Sequence, residues 1–153
     1  GSPMSPEQIF LIATYGIMPF WILLAIAPNW QWTQTLVHSA LIPIVIGVGY
    51  TSYLATGAFS VEGGGFGSLD ALMVTFTVPE AVIAGWLHYL VFDLFVGAWQ
   101  VRDARKRGIN HWLVVPCLFF TLMLGPVGLL LYLALRVATS KGGWALDSES
   151  QTQ

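Results

Sequence analysis

Charged side chains are scarce in this sequence, at 9% of its 153 residues, whereas soluble domains carry about 25%. This deficit excludes an ordinary soluble domain, and apolar runs of about 20 residues predict helices that cross a membrane. Ten-residue segments of alternating polar and apolar residues are also lacking, which excludes a transmembrane β-barrel. The sequence therefore predicts an all-α integral membrane protein.

Cysteine occurs once, at Cys117, so an internal disulfide is excluded and we expect this residue to be a buried small hydrophobe. Four of the six basic residues share one loop, which leaves no basic face for nucleic acid. The first apolar run lacks a basic leader and a small-residue cleavage site, so we expect it to remain as a span. Residues 1–4 resemble a cloning tag and are set apart from the fold.

The predicted fold is a single domain, residues 5–136, built as a four-transmembrane-helix bundle. We place the spans at residues 6–27, 36–56, 79–101 and 112–135, followed by a flexible tail at 137–153. A short amphipathic helix between spans two and three is indicated by apolar residues at three- and four-residue spacing, with Ser68 as its N-cap. These residues are Phe66, Leu69, Leu72, Met73 and Phe76.

The third span carries three ionisable residues, Glu80, His88 and Asp93. An ionisable group at the bilayer centre costs roughly 3 kcal/mol or more, so each is a functional-site hypothesis. Hydrogen bonds to another helix are the structural alternative, and the helix dipole gives Glu80, directly after Pro79, a further structural explanation. We expect His88 and Asp93 at mid-membrane, on neighbouring faces of the helix and open to one pocket.

The loop after span three predicts the orientation. It holds Arg102, Arg105, Lys106 and Arg107. The positive-inside rule places residues 102–111 on the cytoplasmic side, and four spans then place both termini, with Arg136 and Lys141, on the outer side. The loop is also a candidate clamp for phospholipid headgroups, which leaves this orientation unchanged.

Small residues and prolines indicate close packing near a site. Span four is interrupted by the run Gly125–Gly128, and a broken helix at membrane depth is tolerated only against protein or a cavity. Glycines at positions 47, 49 and 57 give span two a small-residue face, which suits contacts within the chain or in a homodimer. Trp30 and Trp32 indicate the membrane–water interface after span one.

Taken together, these motifs resemble a known family. Glu80, the runs Gly85–His88 and Phe92–Phe95, and the Gly125–Gly128 break are similar in kind and order to the neoxanthin synthase family of small membrane proteins, also called abscisic-acid-deficient-four-like. The resemblance covers about residues 5–136 and implies chemistry related to the conversion of the epoxide violaxanthin into the allenic carotenoid neoxanthin. Plant members are chloroplast proteins with transit peptides; this chain has none, so we expect a multi-pass protein of the bacterial inner membrane.

The implied reaction, epoxide to allenic alcohol, is an isomerisation that needs one acid and one base and no redox cofactor. We therefore expect a carotenoid isomerase without a cofactor, acting on a lipid-soluble polyene by epoxide opening or double-bond isomerisation. His88 is the predicted base, and Asp93 or Glu80 is the predicted acid. The predicted substrate-binding residues are Tyr53, Trp86, Tyr89, Phe92, Trp99, Gly125 and Pro126.

Two other kinds of function stay open at this point. Haem serves some carotenoid isomerisations, with His38 and His88 as candidate axial ligands. A non-haem metal would use His88, Asp93 and Glu80, although their spacing matches no common metal motif. A carotenoid-binding protein without catalysis would use the same polar residues only to hold a hydroxylated ring.

Overall fold

The structure, a computed structural model, describes residues 4–58, 60–143 and 145–146, and all regular structure in these ranges is helical. The helices are α1 (Pro6–Ile26), α2 (Gln31–Leu36), α3 (Leu41–Tyr53) with a π-helical turn (Leu54–Ala58), α4 (Leu69–Thr75), α5 (Pro79–Arg107), α6 (His111–Leu124) and α7 (Pro126–Ala138). The predicted all-α class is confirmed for this part of the chain.

Three stretches are long and apolar enough to cross a membrane, namely Pro6–Ile26, Gln31–Gly57 and Pro79–Arg107. The fourth predicted span, residues 112–135, is not one helix, because it is divided into α6 and α7. These helices have 14 and 13 residues, so each is about 20 Å long, whereas the hydrocarbon core is about 30 Å thick. By length and composition, the described chain therefore offers three stretches that could cross a membrane, and two shorter apolar helices in place of the fourth predicted span.

Between α1 and α3 the chain is more helical than predicted. α2 forms where a polar linker was expected, because Thr33 and Gln34 donate to the carbonyls of Ala27 and Pro28 at 2.7 and 3.1 Å. These bonds satisfy acceptors that the end of a helix leaves without partners. The predicted start of span two at residue 36 is wrong, since α2 begins at Gln31 and a non-helical break then precedes α3.

The chain forms two compact units. The first combines residues 1–19 with 39–92, and the second combines residues 20–38 with 93–153. α1 and α5 each contribute one part to either unit. The predicted site residues are divided between the two units.

In the first unit, small and aromatic residues pack around the first part of α5. The indole of Trp86 donates to the hydroxyl of Thr14 on α1 at 2.8 Å. On α3, a Cβ at Gly49 would lie 3.8 Å from Leu87, whereas a Cβ at Gly47 would meet nothing within 4 Å, so this helix approaches α5 at Gly49. α4 begins at the predicted N-cap, Ser68, whose side chain accepts a hydrogen bond from the first turn.

In the second unit, α6 and α7 fold back on each other as a helical hairpin. The turn is Gly125, whose φ of +33° is rarely adopted by residues with a side chain. Gly128 lies so close to α6 that a Cβ there would collide with the backbone of Thr121. The two helices therefore run antiparallel from the turn.

The hairpin returns the chain to the basic end of α5. Arg136, near the end of α7, has its Nε 3.6 Å from the carboxylate of Asp103, and Arg107 donates to the carbonyl of Lys141 at 3.0 Å. The expectation that Arg136 and Lys141 lie at the opposite end from the basic loop is therefore wrong. The physical reason is the backbone at Gly125, which reverses the chain where the four-span prediction assumed a break within a single span.

Candidate functional site

A cavity of about 330 Å³ opens beside α5 in the first unit. The lining residues are Tyr50, Leu54, Phe66, Thr75, Phe76, Ala81, Ala84, Gly85 and His88. Among these, only His88 carries an imidazole, whose two ring nitrogens can donate or accept hydrogen bonds. A mostly apolar recess with a few polar groups is typical of a small-molecule site.

His88 lies against two aromatic rings. Its ring centroid is 4.7 Å from that of Phe92 and 5.8 Å from that of Tyr50 on α3. The side chain is exposed, and its imidazole forms no hydrogen bond with the residues that the structure describes. Both ring nitrogens are therefore available to a molecule in the cavity.

The outer wall of the cavity is held by Thr75. Its hydroxyl accepts from the amide of Gly65 at 2.8 Å and donates to the carbonyl of Ala71 at 3.1 Å, which ties the glycine-rich loop to α4. Gly85 allows the ring of Phe76 to approach α5, because a Cβ at this position would lie 3.2 Å from the ring. The end of the predicted amphipathic helix thus forms part of a cavity wall.

Two of the predicted substrate-binding residues, Trp86 and Tyr89, lie away from this cavity. Their rings stack with centroids 5.3 Å apart, and Trp86 also contacts Phe10 of α1 at 5.5 Å. These contacts pack α5 against α1. Tyr53 is also outside the cavity lining, whereas Phe92 is exposed beside His88.

Glu80 starts α5 and packs against the π-helical turn. A Cβ at Gly57 would lie 2.9 Å from Cβ and 3.0 Å from Cγ of Glu80, so the missing side chain of Gly57 makes room for the acid. Glu80 precedes His88 by eight residues, which is about 12 Å along a helix. The two side chains therefore leave α5 at different depths.

In the second unit, Asp93 faces the turn of the hairpin. Its Oδ1 would lie 2.8 Å from a Cβ at Gly125, next to the N-terminus of α7, where Pro126 is the first residue. A helix N-terminus attracts negative charge, so the hairpin gives this carboxylate a structural partner. Three predicted site residues, Asp93, Gly125 and Pro126, therefore lie close together.

The prediction that His88 and Asp93 lie on neighbouring faces of one helix is wrong. Positions 88 and 93 are about 140° apart around a helix axis, so their side chains leave α5 in different directions.

Further along α5, polar residues continue the contact with the hairpin. Gln100 donates to the hydroxyl of Thr121 at 2.8 Å. Asp103 accepts from the hydroxyl of Tyr132 and from Nε of Arg107 at 2.9 and 3.0 Å. No role was predicted from the sequence for Gln100 or Asp103. Arg107 is one helical turn from Asp103 and forms a local pair with it. Thr121 and Tyr132, however, lie 21 and 29 residues from Gln100 and Asp103, where no local pattern points to them.

Asp103, Arg107 and Arg136 form a buried ion cluster, with side chains 4%, 4% and 0% exposed. Backbone carbonyls after α7 also accept hydrogen bonds from the two guanidinium groups; they belong to Lys141, Gly143, Ala145 and Leu146. The ion cluster is closed to a ligand, and its role is to fasten the hairpin to α5.

Trp99, a predicted substrate-binding residue, packs edge-on against Tyr132, with ring centroids 5.5 Å apart. The predicted tail beyond residue 146 lies outside the described residues.

The residues do not fit the metal or haem alternatives. In the described ranges, no group of three or more His, Cys, Asp or Glu side chains is arranged to hold a metal ion. Nδ1 of His38 lies 2.9 Å from the guanidinium of Arg102. A guanidinium only donates, so this nitrogen accepts and the ring proton is on Nε2, which leaves neither nitrogen of His38 open to iron while the bond holds.

Comparisons with known proteins identify relatives of the chain. A family model described as ABA DEFICIENT 4-like matches residues 8–132, a range that includes the cavity and the hairpin turn. The chain is similar to Protein ABA DEFICIENT 4, chloroplastic, of Arabidopsis thaliana, with 25% identity over 136 residues. This match covers 80% of the chain and 58% of the relative, so the chain spans somewhat more than half the length of that protein. No solved structure matches the chain.

Proposed function

Since the chain belongs to the ABA DEFICIENT 4-like family, we propose that it is a membrane protein that binds the end ring of a carotenoid and isomerises it. Membership in a family linked to xanthophyll chemistry supports the class of substrate. The proposal rests on the His88 cavity, which has mostly apolar walls and one group that can accept a proton. Its volume of about 330 Å³ suits one cyclic end group, and the polyene then extends into the lipid.

The proposed reaction opens an epoxide by paired proton transfers. A proton reaches the epoxide oxygen as its bond to one ring carbon breaks, and a proton leaves the adjacent polyene carbon as the allene forms. One proton is gained and one is lost, so the product is an isomer and no redox cofactor takes part. We assign the base to His88 and the oxygen-directed donor to Tyr50, because their rings lie 5.8 Å apart at the cavity. Proton return from the His88 imidazolium to Tyr50 completes the cycle.

The two acids predicted from the sequence have supporting roles in this proposal. Asp93 stabilises the turn of the hairpin, next to the N-terminus of α7. Glu80 fixes the π-helical turn, whose Leu54 lines the cavity. Asp93→Asn should therefore lower stability more than it lowers turnover, whereas Glu80→Gln keeps the Cβ and Cγ that face Gly57 and should change neither.

Pigment conversion in cells tests the assignment. The protein would be produced in a bacterial strain that makes violaxanthin, and pigments would be separated by liquid chromatography. We expect His88→Gln to lower conversion by about 100-fold or more, the usual contribution of a general base, and Tyr50→Phe to lower it through loss of one hydroxyl. The matched control is Tyr15→Phe, because Tyr15 is 70% exposed and lies outside the cavity lining.

Three outcomes would redirect the proposal. Wild-type turnover in both cavity variants would remove His88 and Tyr50 from the mechanism. Loss of conversion in Asp93→Asn without loss of thermal stability would restore Asp93 as the acid. Retention of unaltered pigment by the purified wild-type protein, without any product, would favour the binding function over catalysis.

The distribution of charge supports a place in a bacterial cytoplasmic membrane with the basic end inside. All six Lys and Arg residues belong to the second unit, and the positive-inside rule assigns such an end to the cytoplasm. Because the hairpin returns Arg136 and Lys141 to this end, we propose that the end of α7 is cytoplasmic as well. This reverses the side expected for the C-terminus from four spans.

A further inference from the structure

The second unit carries an excess of positive charge that its own acids do not neutralise. Its described residues include six basic side chains and two carboxylates, a formal excess of four positive charges. Both carboxylates have structural roles, Asp93 at the hairpin turn and Asp103 in the buried cluster. The four basic residues predicted to lie in a loop belong to the end of α5 and differ in their surroundings. Arg107 is neutralised by Asp103 inside the protein and Arg102 contacts His38, while Arg105 and Lys106 are exposed and have no carboxylate partner among the described residues.

A cleft of about 280 Å³ lies beside these exposed charges. Buried apolar residues and a polar rim line it; they are Pro28, Asn29, Val101, Ala104, Arg105, Gly108, Ile109 and His111. Arg105 donates to the carbonyl of Pro28 at 3.1 Å, and a guanidinium has five N–H donors, so most of its donors remain for a ligand. His111 donates from Nε2 to the carbonyl of Ala25 at 2.7 Å, which fixes this side of the rim.

Exposed tryptophans indicate the depth of the cleft in the membrane. Trp30, Trp32 and Trp112 are 53%, 55% and 66% exposed. Trp30 follows Asn29 of the rim, and Trp112 follows His111. Tryptophan is enriched at the level of the lipid headgroups, and at this level the abundant anion is the phosphate of a phospholipid.

We propose that this cleft binds the phosphate group of an anionic membrane phospholipid. Arg105 supplies planar donors at the rim. Apolar side chains on the floor of the cleft contact the glycerol end of the acyl chains. The site is independent of the proposed carotenoid chemistry, because none of its lining residues belongs to the His88 cavity.

Lipid retention by the purified full-length chain tests this site. The protein in neutral detergent would receive phosphatidylglycerol, phosphatidylcholine or inorganic phosphate, and native mass spectrometry and the melting temperature would be read. We expect the wild type to retain phosphatidylglycerol in preference to phosphatidylcholine. Arg105→Gln should weaken retention of phosphatidylglycerol by roughly fivefold, the contribution of one basic residue at an anionic surface.

The matched control is Lys141→Gln, which removes the same charge from an exposed residue of the second unit outside the cleft. Its retention of phosphatidylglycerol should match the wild type, as should the lipid-free melting temperatures of both variants. An equal loss in Lys141→Gln, or wild-type retention in Arg105→Gln, would overturn the site. Stabilisation by inorganic phosphate equal to that by phosphatidylglycerol would overturn the assignment to a lipid.

Discussion

At the scale of the residue, Asp103 is the acid on which the second unit depends most. It is the carboxylate partner of two buried guanidinium groups and accepts a hydrogen bond from Tyr132. Asp103→Asn leaves Arg107 and Arg136 buried without a counter-charge, which costs about 3–5 kcal/mol in comparable buried pairs. We expect a clear fall in the melting temperature of the detergent-solubilised protein, measured by intrinsic tryptophan fluorescence.

Asp70→Asn is the control for this loss of one acid, because Asp70 is exposed. Tyr132→Phe removes only the hydroxyl and should cost less, roughly 1–2 kcal/mol. A melting temperature of Asp103→Asn equal to that of Asp70→Asn would show that the cluster does not stabilise the fold.

The three ionisable residues of span three show what sequence can predict at this scale. The cost of a charge in a membrane correctly indicates that each residue needs a special environment. The nature of that environment depends on distant segments: Gly57 for Glu80, Tyr50 for His88 and Gly125 for Asp93. The sequence alone does not show that one residue lies beside a helix N-terminus and another beside a cavity, because distant segments form both environments.

At the scale of the element, the α6–α7 hairpin depends on one close approach. A Cβ at Gly128 would collide with the backbone of Thr121, and backbone cannot yield as a flexible side chain does. Overpacking typically costs about 1–3 kcal/mol. We therefore expect Gly128→Ala to lower the melting temperature and to increase proteolysis near the turn.

Gly47→Ala controls for the change of residue type, because a Cβ at Gly47, also within a helix, would meet nothing within 4 Å. Alanine favours helix over glycine by about 1 kcal/mol, so this variant should be as stable as the wild type or more stable. Equal stability of Gly128→Ala and Gly47→Ala would contradict the close packing of the hairpin.

The elements themselves were partly predictable. Pro79 and Ser68 are local start signals, and α5 and α4 begin where these residues predict. The Gly125–Gly128 run predicts a break but not its angle, since a kink and a reversal need the same residue types. The chain reverses because Asp103 contacts Tyr132 and Arg136. These residues are too far apart in sequence for any helical period to connect them.

At the scale of the whole molecule, the Lys and Arg residues are confined to one of the two units. The described part of the first unit contains no Lys or Arg and holds the acids Glu7, Glu62, Asp70 and Glu80. The second unit holds every basic residue of the chain. Such asymmetry orients membrane proteins, because the basic end stays in the cytoplasm.

The hairpin and this asymmetry together predict the side on which α7 ends. The natural cysteine, Cys117, is 5% exposed, so a single engineered cysteine can be labelled with a membrane-impermeant maleimide against a low background. We expect Lys141→Cys to react only after the cells are permeabilised, because the hairpin returns residue 141 to the basic, cytoplasmic end. Ser5→Cys, before the first long apolar helix, should react in intact cells. Labelling of Lys141→Cys in intact cells would mean that the α6–α7 segment crosses the membrane as a fourth span.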